Sequence, residues 1–270
     1  MLTEQIIFEY MVCFFWHKNQ NNLQECRFTI KQLKMQRQVL TSAVLSAIII
    51  TKFFTREIIH MKTVVYLGDS ITDCGRDIKN GSTVSIGQGY ALITSAELSY
   101  LKPGEYEFIN TGVSGSRIVD IYSRIKTDCW NNNPDIISIL IGINDIWHEI
   151  AAENGVDSKR FERIYSMLIE DTLERFPKSK FMLLEPFVLK GSATAENWNY
   201  FYENTRERAE ITKRIAEKFN QTFIPLQCKF EAAEKLCPQP HWIADGVHPT
   251  PAGHRLIANE WLAAFERLEK

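Results

Sequence analysis

Between Asp135 and Gly142 the chain runs Ile136-Ile137-Ser138-Ile139-Leu140-Ile141, apolar at every position but one. Such nearly continuous apolarity suits a central strand buried on both faces. A strand of that kind needs helices above and below it, and the surrounding sequence supplies them. From Met61 onward, short apolar runs rich in β-branched residues alternate with longer amphipathic stretches. Val64–Leu67, Glu107–Asn110, Ile136–Ile141, Phe181–Leu184 and Thr222–Leu226 read as strands, and 88–101, 118–129, 159–175 and 196–219 as helices. A last helix is expected from Pro251 to Leu268, with Thr250 as N-cap and Pro251 at the first position, where its missing N–H costs nothing. Alternating strand and helix implies an α/β fold, a parallel sheet covered on both sides.

Residues 1–60 differ in character. They contain no Pro and no Gly, and show no clean strand–helix alternation. A basic stretch, Lys31 to Arg37, precedes a largely apolar run, residues 39–50. That run is shorter than the roughly twenty residues needed to span a bilayer. It lies far from Met1, and no good small-residue cleavage site follows it. Met61 then opens M-K-T-V-V-Y-L-G-D-S, which reads as a natural start. Residues 1–60 are therefore expected to be an extension the chemistry does not need, and 61–270 the working domain. On that reading nothing directs export and the protein is cytoplasmic. The alternative is export or anchoring through residues 31–54, with membrane contact only if residues 39–50 anchor.

The formal net charge of −2 argues against a nucleic-acid scaffold or a polybasic membrane binder. The six cysteines are scattered, without C-x-x-C, so neither a metal site nor a disulfide framework is expected. Metal-protease, P-loop and dinucleotide-binding motifs are absent.

The polar, glycine-containing stretches fall where a parallel sheet forms its site, at the carboxyl ends of strands. Gly68-Asp69-Ser70-Ile71-Thr72 follows the first strand, Asn110 to Gly115 the second, and Gly142-Ile143-Asn144-Asp145 the third. Asp245-Gly246-Val247-His248-Pro249 comes after the fifth, just before the last helix. Together they offer what acyl transfer needs. A serine hydroxyl such as Ser70 requires a neighbouring base, and His248 can serve. Asp245, three residues earlier, can accept the other ring N–H and fix the tautomer. The backbone N–H groups of Ser70 and Gly115 and the amide of Asn144 can stabilise the developing oxyanion. Glycine at 115 lets backbone approach the substrate closely. No metal or organic cofactor is required.

These four blocks, in this order, resemble the SGNH, or GDSL, hydrolase family over about residues 61–268. The resemblance implies that Ser70 is the nucleophile and Asp245 and His248 its partners, with Ser70, Gly115 and Asn144 forming the oxyanion hole. It also implies a three-layer α/β/α sandwich with a five-stranded parallel sheet, flavodoxin-like in order. Within the family the chain is similar to GDSL-type acetylxylan esterases. Gly68 to Arg76, Gly87-Gln88-Gly89-Tyr90, Ser138 to Trp147 and Val247-His248-Pro249 carry that likeness. One departure bears on the acyl or sugar pocket: those enzymes tend to carry Trp immediately before the catalytic Asp, where this chain has Ala244.

The expected function is thus a serine esterase acting on O-acetyl esters of carbohydrates through an acyl-enzyme. A lipase-like carboxylesterase, lysophospholipase or thioesterase on the same triad is the alternative, and a catalytically dead carbohydrate-binding protein ranks below both. The expected partners are a small-molecule or oligosaccharide ester and a second copy of the chain, with no nucleic acid. Asp145-Ile146-Trp147-His148 is a rival D-x-x-H, but Asp145 already belongs to the third block, which leaves His148 as a pocket or surface residue. Asp69 is expected to hold the turn around Ser70 and to border the substrate pocket, and Trp147 to line it. Cys74 is expected to be packed and inert, and His254 to pack on the last helix.

Overall fold

The computed structural model describes residues 61–77 and 83–270. The expectations for residues 1–60, including the apolar run 39–50, lie outside the described residues. Among those described, no helix is long and apolar enough to cross a membrane.

Five strands form one parallel sheet: β1 (Lys62–Gly68), β2 (Tyr106–Asn110), β3 (Ile136–Leu140), β4 (Lys180–Leu184) and β5 (Thr222–Ile224), in the order β2-β1-β3-β4-β5. Side chains alternate across a strand, and both faces here are apolar. Val64, Tyr66, Ile136, Met182 and Leu184 point into one core, and Val65, Leu67, Ile137, Ile139, Phe181 and Leu183 into another. Ser138, the polar exception in the central strand, is fully buried and accepts the Trp261 indole N–H at 2.9 Å.

The helices are α1 (Ser70–Asp73), α2 (Tyr90–Leu101), α3 (Ile118–Asp128), α4 (Ile143–Ala152), α5 (Ser158–Arg175), α6 (Trp198–Lys218), α7 (Gln227–Glu234) and α8 (Pro251–Leu268). Helices α2, α7 and α8 cover the first face, and α3, α5 and the second half of α6 the other. The result is the expected three-layer sandwich. Thr250 caps α8, its hydroxyl accepting the Gly253 N–H, and Pro251 takes the first helical position.

Two sequence readings need correction. Strand β5 stops at Ile224 rather than Leu226, because Pro225 has no N–H to continue a ladder. Helices α1, α4 and α7 were not anticipated. The signal for α4 was present: Ile143, Ile146, Trp147 and Ile150 repeat at helical spacing. Only Ile141 and Gly142 separate the helix from β3, and its first turn carries the polar pair Asn144-Asp145.

Candidate active site

Strand order reverses direction at β1, so the crevice of this sheet opens between β1 and its neighbour β3, at their carboxyl ends. Ser70 follows β1 and Asn144 follows β3. Asp69 ends the strand, and its Oδ1 accepts the Ile71 N–H at 3.0 Å, which caps α1 and leaves Ser70 at its first position.

The loop after β2 is pressed onto this turn. Asn110 donates its amide to the carbonyls of Thr72 (2.7 Å) and Ile86 (2.8 Å) and accepts the Gly112 N–H. A Cβ on Gly112 would lie 2.6 Å from the Asp73 nitrogen. Arg76 donates to the Gly112 carbonyl, and Asp73 accepts from both the N–H and the hydroxyl of Ser114. This lattice brings Gly115 to the site with φ of 81°, the left-handed region that favours glycine. A Cβ there would meet only the Nε2 of His148, at 4.0 Å, so the glycine serves its backbone conformation rather than a tight approach within the protein.

Asn144 enters α4 after Gly142, whose φ is 132°. One hydrogen of its amide goes to the Ser116 carbonyl at 3.2 Å, which fixes the side chain and leaves the other free. Ser116 adjoins Gly115, so the two oxyanion candidates hold each other in register. Among the described residues, the N–H groups of Ser70 and Gly115 have no protein acceptor. Each of the three expected oxyanion donors therefore keeps an N–H that no described residue accepts.

Asp245 and His248 lie in the loop before α8. The loop is closed by the Ala244 N–H to the His248 carbonyl (2.8 Å) and by the Thr250 N–H to the Trp242 carbonyl (2.9 Å). A second loop clamps it: the Leu189 N–H donates to Gly246 and the Ala193 N–H to Asp245. Gly191 approaches so closely that a Cβ would lie 2.3 Å from the Asp245 carbonyl carbon. Asp245 Oδ1 accepts the N–H groups of Val247 (2.9 Å) and His248 (2.8 Å), and Oδ2 meets His248 Nδ1 at 2.7 Å. His248 Nε2 in turn meets Ser70 Oγ at 2.9 Å. Partial burial works to raise the Asp245 carboxyl, but the His248 N–H, its ring and the Val247 N–H outweigh it and hold the group below its usual range. An ionised Asp245 accepting from Nδ1 leaves the Nε2 lone pair facing the serine, the arrangement a general base needs.

Trp147 lies 6.0 Å from the His248 ring and edge-on to Phe201 at 5.8 Å. Asp69 does not border an open pocket. It is 1% exposed, and with Ile71, Leu140, Ile143 and Phe187 it lines a narrow crevice under the nucleophile turn. Burial pushes its carboxyl up to about 7, against the pull of the Ile71 N–H and His248. Its Oδ2 has no hydrogen-bond partner among the described residues.

The rival pair Asp145 and His148 is not joined. Both Asp145 oxygens face the Ile118 N–H, tying the third block to the start of α3, and burial pushes this carboxyl up to about 7. His254 accepts the Tyr90 N–H at Nδ1, so its neutral ring carries the proton on Nε2, 3.3 Å from Cys74 Sγ. Burial pushes this imidazole down to about 4 and the Cys74 thiol up, away from thiolate chemistry. Sequence reading placed Asn110 and Arg76 in the site blocks without a role and missed Gly191, because their roles are long-range contacts. Among the described residues, no cluster of three or more His, Cys, Asp or Glu side chains is placed to hold a metal ion.

Comparison with known proteins places this geometry in context. Residues 66–256 match the model of the GDSL-like lipase/acylhydrolase family. An acetylxylan esterase of Geobacillus stearothermophilus is 30% identical over 207 residues, covering 74% of this chain and 91% of the relative. A solved structure of a GDSL-like lipase from Parabacteroides merdae superposes with a TM-score of 0.72 at 35% identity, covering 76% of this chain and 97% of that one. A catalytic mutant of an acetylxylan esterase from G. stearothermophilus gives 0.67 at 29% identity, covering 75% and 93%. Mutants of the latter enzyme described as catalytic replace an aspartate, a serine or a histidine by alanine. Another replaces the tryptophan immediately before that aspartate.

Proposed function

Because the chain belongs to the GDSL-like lipase/acylhydrolase family and is a carboxylic ester hydrolase, we propose that it removes O-acetyl groups from carbohydrates, of the acetylated xylo-oligosaccharide type, through an acetyl-enzyme on Ser70. The observation that carries the reading is the unbroken chain Ser70 Oγ–His248–Asp245, at 2.9 and 2.7 Å. The acetylxylan esterase relative supports the substrate class, and its catalytic mutants fall on the same three residue types.

Ser70 Oγ attacks the ester carbonyl as its proton passes to His248 Nε2. Negative charge gathers on the carbonyl oxygen, where Ser70 N–H, Gly115 N–H and Asn144 Nδ2 receive it. His248 then protonates the departing sugar oxygen as the ester C–O bond breaks, and the acetyl group is left bonded to Ser70 Oγ. Water enters, gives its proton to His248 and attacks the acetyl carbon; collapse of the second tetrahedral species returns the proton to Ser70 and frees acetate. Asp245 keeps the imidazole in the required tautomer and stabilises its charged form.

The test is acetate release from acetylated xylo-oligosaccharides by the full chain, beside p-nitrophenyl acetate, butyrate and octanoate. Wild type should prefer acetyl esters, and Ser70→Ala should lose at least about a thousandfold in kcat/KM. Rates that grow with acyl length, with none on sugar acetates, would move the substrate to the lipase-like class. Activity persisting in Ser70→Ala would remove the nucleophile assignment.

A further inference from the structure

Helix α4 presents three side chains to the site from one face, Asn144, Trp147 and His148, at i, i+3 and i+4. The first two have partners there. His148 does not: its ring is half-buried, with Nε2 4.0 Å from the position of a Gly115 Cβ, and among the described residues neither ring nitrogen makes a hydrogen bond. Its backbone is pinned, the carbonyl accepting the Asn154 N–H at 3.0 Å. A half-buried imidazole with both nitrogens unmatched has hydrogen-bonding capacity that the fold does not use and a bound ligand can. It stands 4.0 Å from the place a side chain on Gly115 would take, beside the expected oxyanion donor.

We propose that His148 is a specificity-determining residue, hydrogen-bonding a free hydroxyl on the sugar next to the acetylated carbon; the inference rests on the carbohydrate reading above. A neutral imidazole offers one N–H and one lone pair, and a hydroxyl both donates and accepts, so the two match in either orientation. A simple aryl or alkyl acetate has nothing to offer the ring. Binding such a substrate leaves the imidazole desolvated and unpaired, so the residue separates a sugar acetate from a plain one by penalty as well as by attraction. Asn144 and Gly115 handle the carbonyl, which both substrate classes share, and His148 handles what only one of them carries.

The experiment compares full-length wild type, His148→Ala and His148→Gln on acetylated xylo-oligosaccharides and on p-nitrophenyl acetate. The ratio of the two kcat/KM values should fall roughly 3- to 30-fold in the alanine variant, mostly through KM on the sugar ester, the size of one or two lost neutral hydrogen bonds. Glutamine keeps a donor and an acceptor and should restore part of the ratio. If the alanine variant does not fold, His148→Phe, which fills the space with neither donor nor acceptor, carries the same expectation. An unchanged ratio, or equal losses on both substrates through kcat, overturns the proposal. An unchanged ratio in the variant, with a wild type that turns over sugar acetates, defeats His148 alone. Wild type without sugar-acetate turnover defeats the substrate reading and this inference together.

Discussion

Replacing Asp245 by asparagine tests the triad without disturbing its frame. Oδ1 of Asp245 accepts two backbone N–H groups, from Val247 and His248. An asparagine must therefore keep its carbonyl oxygen there, since turning the amide would face its NH2 against two other donors. The NH2 is then forced into the place of Oδ2, 2.7 Å from His248 Nδ1. Nδ1 must become the acceptor, so the ring proton moves to Nε2 and points at Ser70 Oγ, 2.9 Å away. The imidazole keeps its position and loses its function as a base. The tautomer error costs about 10⁴ in kcat, roughly 5 kcal/mol of transition-state stabilisation. Stability should change by no more than about 1 kcal/mol, because the two backbone bonds survive. Asp245→Ala, by contrast, orphans both N–H groups and should cost about 1–3 kcal/mol as well as activity. The assay is kcat on p-nitrophenyl acetate, with urea unfolding of the same samples. The asparagine variant also removes a carboxyl held below its usual range, which contributes stability above that range and loses it as pH falls. The variant should therefore lose less stability than wild type on acidification below about pH 5. A folded asparagine variant within tenfold of wild-type kcat would refute the reasoning.

Two further perturbations probe the supports of the site. Gly191→Ala places a methyl 2.3–2.4 Å from Asp245 and Gly246 backbone, which no side-chain rotation relieves; it should lower the urea midpoint and depress kcat by moving the Asp245 loop, and an active, fully stable variant would show that the clamp is dispensable. Asp69→Asn tests the buried carboxyl under the nucleophile. Its pKa is raised from 3.8 to about 7, so its contribution to stability is fully present below about pH 4 and is lost as pH rises through about 7. The amide does not titrate, so stability of the variant should decline less between pH 4 and 8. Asp145, also raised to about 7 by burial, keeps part of the slope. A pH profile of unfolding identical to wild type would contradict this account.

The placement of Asp69 illustrates how geometry divides roles between adjacent residues. Asp69 and Ser70 are neighbours in sequence, yet one is sealed beneath the sheet edge as a helix cap and the other faces His248. Sequence reading assigned both to the site region, because proximity along the chain carries no information about which side of a turn faces solvent. The same limit applied to α4. Its helical period was legible, but its first turn carries Asn144 and Asp145, polar residues of a glycine-containing block that reads as a loop, and only Ile141 and Gly142, the latter with positive φ, separate it from β3.

What the sequence determined by itself was local or periodic. The central strand announced its two buried faces by continuous apolarity, and Thr250-Pro251 fixed the start of α8 to the residue. The glycine-rich blocks after successive strands located the catalytic edge, because parallel strands all end on the same side. The D-x-x-H spacing allowed Asp245 to pair with His248, since three residues of one loop can close on themselves, whereas the same spacing on α4 left Asp145 and His148 apart. Only the tertiary structure brought that loop to Ser70, 178 positions away, and clamped it against Gly191. It alone left His148 unpaired beside Gly115 and buried Asp69. These are contacts between distant segments, set by how closely two backbones can pack, and no periodicity along a single chain encodes that distance.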